Sequence, residues 1–195
     1  MEMARQGSVA LLFVDASHFV MGCDFLGYLW SRVRRWVKTF SGRKRYNVLA
    51  TLDFITKKVL TVANDEYITA TQVCELLRLV AKTYRGRVVH LVLDNARYQK
   101  CKVVTELAAE LGITLNYLPA YSPNLNLIER LWKFVKAKIC NVHFDDFDKF
   151  KNTIDSIIDG TNGLYRKEID SLINQPHLLP EMTEISADVL QEVAA

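Results

Sequence analysis

Apolar residues recur along this chain in two rhythms. Val9 to Val14 form an unbroken apolar run inside VALLFVDASHF. A continuous run without alternation predicts a strand covered on both faces. YNVLATLDF and KVLTVAND predict two more strands, and with only ITK between them an antiparallel hairpin is expected. VVHLVLDNA reads as a second buried strand, broken at Asp94-Asn95, and ITLNYLP as a short last strand stopped by Pro119.

Elsewhere the apolar positions fall three and four apart. TATQVCELLRLVAKTYRG predicts an amphipathic helix, with Thr69 or Thr71 placed to cap it and Gly86 to end it. KVVTELAAELG predicts another, closed by Gly112. LPAYSPNLNLIERLWKFVK reads as a loop feeding a helix, with Ser122 as N-cap and Pro123 as first helical residue. Its apolar stripe is Leu125, Ile128, Leu131, Trp132, Val135 and Ile139. FDDFDKFKNTIDSII gives one more helix, with Phe144, Phe147, Ile154 and Ile157 facing the core and Gly160 to Gly163 ending it. Asp145, Asp146 and Asp148 suit that helix's N-terminus. Strands first and alternation afterwards predict an α/β fold with a mixed sheet between helices. Beyond about Pro180 the pattern fades, and a loosely attached tail is expected.

Composition adds little until charge is mapped onto this order. The 195 residues suffice for one domain with a sizeable core, and the net charge is only +3. Yet Arg32, Arg34, Arg35, Lys38, Arg43, Lys44 and Arg45 fall in one stretch without an acid. Such a run is either a solvated loop or a phosphate-binding surface. Trp36 and Phe40 between the cations suit a groove that also stacks. Cys23, Cys74, Cys101 and Cys140 form no CxxC pair and read as buried free thiols, which fits a reducing cytoplasm. No apolar run reaches membrane-spanning length, and the N-terminus lacks the features of a signal peptide.

The candidate chemistry lies in three acids. Asp15 and Asp94 each close a buried strand, where a carboxylate is costly unless paired, solvated or bound to a cation. If the two strands are parallel neighbours, the carboxylates lie roughly 5 Å apart, one interstrand spacing. Like charges so placed repel, and a divalent cation relieves them. Glu129 borders the buried stripe of its helix. Its simplest role there is an ion pair with Lys133 one turn on; alongside Asp15 and Asp94 it also suits a third oxygen ligand. An all-oxygen set favours Mg²⁺ or Mn²⁺ over zinc. His90, His143 and His177 read as structural, while His18, three residues after Asp15, either lines the site or serves the surface or core. GxGxxG, GxxxxGK[ST] and GxSxG are all absent.

FVDASHF, LVLDNARYQK and LPAYSPNLNLIERLWKFVK resemble the three signature blocks of DDE transposases, in the bacterial insertion-sequence branch of the Tc/mariner superfamily. The 34 residues between Asp94 and Glu129 match that superfamily's spacing. The pattern from Tyr121 to Trp132 is the most specific part. The likeness runs from about Val9 to Gly160, so residues 1–160 are read as the catalytic domain and 161–195 as a helical extension and tail. The resemblance implies an RNase H-like fold, a five-stranded mixed sheet flanked by helices, with extra C-terminal helices. It implies that Asp15, Asp94 and Glu129 are the catalytic triad, holding two Mg²⁺ or Mn²⁺ ions for in-line attack on DNA phosphodiesters and strand transfer. Asn95 would orient Asp94 or touch DNA. The basic stretch, with Arg130 and Lys133, would contact the duplex.

The match has departures. Ala16 stands where the family often has an acid, and Gln99 where it commonly has a histidine. Only fourteen residues precede Asp15, so the helix-turn-helix part is expected to be lost or supplied by a separate polypeptide. The resemblance also implies transposon-end and target DNA as partners, a homodimer on DNA, no membrane, and a bacterial cytoplasmic, nucleoid-associated setting. The alternative is an inactive transposon remnant that keeps the fold and only binds DNA or itself. A general RNase H-like nuclease shares the chemistry but leaves the Tyr121–Trp132 block unexplained.

Overall fold

The computed structural model describes residues 9–22, 32–34, 44–119, 125–140 and 142–173. Five strands form one sheet: β1 (Val9–Val20), β2 (Arg45–Asp53), β3 (Val59–Asn64), β4 (Val88–Leu93) and β5 (Ile113–Tyr117). Their order across the sheet is β3-β2-β1-β4-β5. β1, β2 and β3 pair antiparallel, while β4 lies parallel to both β1 and β5. Helices α1 (Ala70–Thr83) and α2 (Lys102–Glu110) are the crossovers, and α3 (Ile128–Ile139), α4 (Phe147–Thr161) and α5 (Arg166–Ile173) follow the last strand. This is the five-stranded mixed sheet flanked by helices that the element order predicts, arranged as in an RNase H-like catalytic domain.

The period of two along the strands divides the interior into two cores. Phe13 and Phe19 of β1, with Val48, Ala50 and Leu52 of β2, pack against Ile128, Leu131 and Val135 of α3 and against α4. Ala10, Leu12 and Val14 turn to the other face and meet Leu76, Leu77 and Val80 of α1 and Val104 and Ala108 of α2. Both faces are covered, which is why β1 and β2 read as near-continuous apolar runs. In α5, Ile169 and Ile173 bury into the α3–α4 core, so the chain past Gly160 contributes to the same interior.

Three local expectations need correction. β1 does not close at Asp15 but runs on to Val20, because β2 continues to pair with it as far as Arg45. α3 does not begin at Pro123: Leu125–Leu127 lie outside it, and its first residue is Ile128. Ser122 and Pro123 themselves lie outside the described residues. Of the cysteines only Cys74 is buried; Cys101 and Cys140 are half-buried, and all three are free. Cys23 lies outside the described residues. At α1 the structure selects between two candidates, with Thr69 capping the helix in a reciprocal box with Gln72.

Candidate active site

Asp15 sits on β1 with its backbone opposite Ala50 of β2. Since residues two apart share a face, it projects on the Phe13 and Phe19 side, toward α3. The ladder between β1 and β4 ends at Phe13 and Val92. Two further steps in the same register bring Asp15 opposite Asp94, the first residue after β4. The two strands part at this point, so both carboxylates stand at the mouth of the gap between them. Such gaps beyond the carboxyl ends of parallel strands are where α/β sheets bind ligands.

Glu129 arrives from α3. Its backbone N–H donates to the Asn126 carbonyl, 3.1 Å, and its side chain is exposed. Among the described residues it makes no ion pair with Lys133. Asp15 registers its neighbours electrostatically. Burial pushes its carboxyl up to about 7, and the negative charges of Glu129 and Asp94 add to the rise. A backbone hydrogen bond at Ala16 and the Trp132 indole oppose it. Asp94 and Glu129 therefore both lie close enough to act on Asp15. Among the described residues, however, no three His, Cys, Asp or Glu side chains are gathered tightly enough to hold a metal ion.

The supporting groups came mostly from residues that sequence reading treated as packing. Trp132 is 2% exposed, and its indole Nε1–H donates to Asp15 Oδ2 at 3.0 Å. Its ring meets Phe19 edge-on, 6.1 Å between centroids. Asn126, also buried, donates from Nδ2 to the Val14 carbonyl at 3.1 Å. Tyr98 lies on the single 3₁₀ turn after Asp94, its hydroxyl pushed up to about 12 by burial and by the charges of Asp94 and Asp15. The available signal was the Tyr121–Trp132 block, which holds Asn126 and Trp132 three residues before and after Glu129.

Asn95 donates from Nδ2 to the Leu118 carbonyl, and Leu118 N–H donates to Leu93 at 2.8 Å. Asn95 thus braces the exits of β4 and β5, while Asp94 Oδ1 accepts from Ala96 N–H at 3.3 Å. Gln99 is fully buried, and among the described residues its side-chain oxygen and nitrogen find no hydrogen-bond partner of good geometry. Ala16 faces away from Asp15 into the α1–α2 core. His18, also on the opposite face of β1, pairs its Nδ1 with Asn47 Oδ1 at 2.6 Å.

The cationic candidates divide. Arg32, Arg34, Lys44 and Arg45 are exposed, and Arg35, Lys38 and Arg43 lie outside the described residues. Lys44 stands 5.4 Å from the centre of the Phe147 ring. Lys44 and Arg45 line an open cleft of about 530 Å³ together with Asp65, Glu66, Tyr67 and Phe147, so acids offset its cations. On α3, Lys133 is exposed, whereas Arg130 reaches the Leu172 carbonyl of α5 through Nη1.

Residues 10–151 match the family model described as DDE superfamily endonuclease. The fold is similar to the Mos1 mariner paired-end complex solved with Mn, at 18% identity and a TM-score of 0.61 over 83% of this chain and 52% of that one. It is also similar to the catalytic domain of Mos1 mariner transposase, at 16% identity and 0.58 over 83% and 76%. A chain in the structure of the simian T-cell lymphotropic virus intasome with the PP2A regulatory subunit B56 gamma matches at 17% identity and 0.56, over 79% and 48%. The chain spans about half the length of the intasome and paired-end chains it resembles. No curated protein sequence matches it.

Proposed function

Since the chain belongs to the DDE superfamily of endonucleases, we propose that it is the catalytic part of a transposase, cleaving DNA at transposon ends and joining them to a target. The observation that carries this reading is Asp15: a half-buried carboxylate raised to about 7 in part by Asp94 and Glu129, acids supplied by two other elements. Like charges brought near a half-buried carboxylate repel it, and their common remedy is a divalent cation. The donors are all oxygen, which fits Mg²⁺ or Mn²⁺, and the family and the Mn-bound relative point the same way.

On this reading Asp15, Asp94 and Glu129 hold two ions. When bound, such a pair supplies a nucleophilic oxygen at neutral pH and neutralises charge on the leaving oxygen. The chain's part is placement. β1 and the β4 exit set two acids side by side, and α3 brings the exposed Glu129 over them. Their half-buried setting limits water and strengthens every charge interaction there. The basic stretch Arg32–Arg45, with Lys133, holds duplex phosphates without reading bases. Sequence-specific docking falls to a helix-turn-helix segment beyond this catalytic part, with two copies of this chain on the paired ends.

The test is nicking of supercoiled DNA with Mg²⁺ or Mn²⁺. Asp94→Asn and Glu129→Gln should each abolish it. A Glu129→Gln protein that nicks like the wild type would refute the triad. In competition binding the chain alone should barely prefer its element's terminal repeat. A preference of about 10²-fold or more, approaching the range of specific recognition, would mean that it reads sequence by itself.

A further inference from the structure

The gap between β1 and β4 is bridged from one side by the helix that carries Glu129. The Leu11 carbonyl accepts from Phe54 N–H at 2.8 Å and so faces β2. Carbonyls alternate sides along a strand, so that of Val14 faces the β4 side, where the ladder has already ended at Phe13. Asn126 Nδ2 occupies that place, donating to Val14 at 3.1 Å. The rest of Asn126 ties it to the start of α3: its Oδ1 accepts from Ile128 N–H at 3.4 Å and its carbonyl from Glu129 N–H at 3.1 Å. One turn further, Trp132 makes the second bond, to Asp15 Oδ2. Both anchors are at least 96% buried, so neither bond competes with bulk water.

We propose that Asn126 and Trp132 are positioning residues, a two-point clamp that fixes the helix of Glu129 against Val14 and Asp15 and so sets how those two carboxylates meet. The clamp rests on the reading of Asp15, Asp94 and Glu129 as cation-holding acids. Its anchors are three residues either side of Glu129, one just before the helix and one within it, so the acid is held from both sides. Trp132 also removes a degree of freedom from Asp15, whose Oδ2 is tied to a wall of the core. A group that orients a ligand without touching the ion typically changes affinity or rate by about 10–100-fold when lost.

The experiment compares wild type, Asn126→Leu and Trp132→Phe, which keep bulk and lose the donor. Calorimetric Mn²⁺ titration should show affinity lower by about tenfold in each variant, while nicking shows a lower kcat with an unchanged KM for DNA. Affinity and kcat within about twofold of wild type in both would overturn the clamp. Should either variant fail to melt cooperatively, a Trp30→Phe/Trp36→Phe protein leaves Trp132 as the sole indole of the three. Its N–H resonance should move on Mg²⁺ saturation and again in an Asp15→Ala background, and a resonance indifferent to both would equally overturn the proposal. A wild type that binds Mn²⁺ through Asp15 and Glu129 but nicks no DNA would instead defeat the nuclease reading, leaving the clamp to the metal titration.

Discussion

Asp15 holds its proton more tightly in the folded chain than in the unfolded one, since burial and two acidic neighbours raise it from 3.8 to about 7. The fold is therefore favoured at low pH, and this contribution is lost as pH climbs from about 4 to about 7, opposite to a salt-bridged aspartate. In metal-free buffer at pH 8, Asp15→Asn should melt roughly 10 °C higher than wild type, since the rise from 3.8 to about 7 is worth about 4 kcal/mol and a chain of this size gains about 2–4 °C per kcal/mol. At pH 4 the gap should close, and Mn²⁺ should stabilise wild type but not the variant. Thermal melts at the two pH values with and without Mn²⁺ check all three. The acids were legible because a carboxylate ending an apolar run or bordering an apolar stripe breaks a pattern. The roles of Trp132 and Asn126 were not, although both stand in the Tyr121–Trp132 block, because a tryptophan in a stripe reads as packing and nothing local says what an asparagine before a helix would touch. Their donor hydrogens matter only through β1, more than a hundred residues away in the chain.

Elements fared better than their ends. All five strands were legible from run length and period, but strand partners decide where a strand stops, so β1 outran Asp15. The start of α3 was misplaced because Ser-Pro is a strong local cap signal, whereas Asn126, three residues on, bonds to β1 and precedes the first helical residue, Ile128. β3 is an edge strand, and its first residue is gripped from α4: Asn162 Oδ1 accepts from Val59 N–H at 2.8 Å and Nδ2 donates to the Val59 carbonyl at 3.2 Å. One side chain thus imitates a neighbouring strand. Asn162→Ala should cost about 1–2 kcal/mol, by leaving half-buried backbone groups without partners, and raise amide exchange at Val59 ahead of the rest of the sheet. Nearby, a Cβ on Gly160 would fall 2.8 Å from the Tyr165 ring, which packs edge-on against Phe134. Gly160→Ala should therefore destabilise by about 1–3 kcal/mol although alanine favours helix, a sign reversal that urea unfolding detects.

At the scale of the molecule, the segment from Arg32 to Arg45 concentrates cations on a chain of slight net charge. Reversing Arg34, Arg35 and Lys38 to Glu should weaken binding to all duplexes alike and flatten its salt dependence, measured by fluorescence anisotropy at low and high salt. Unchanged binding would make the segment a solvated loop. The fold class was legible because element order alone separates a mixed sheet from a purely parallel one. That Asp94 and Glu129 act on Asp15 was suggested only by a family resemblance, since no local pattern says which strands are neighbours. That strand order has a kinetic side. β1, β2 and β3 are consecutive in sequence and adjacent in space, whereas β4 and α3 reach β1 only after long stretches of chain close, and β5 joins only through β4. Contacts of low separation form early and distant ones late. The meander can zip up with Asp15 alone in place, so a refolding chain should regain strand signal before it regains any response to Mn²⁺. In stopped-flow refolding the lag between those two signals would time the docking of the parallel half, and the ion would serve as a clock for the last step of assembly.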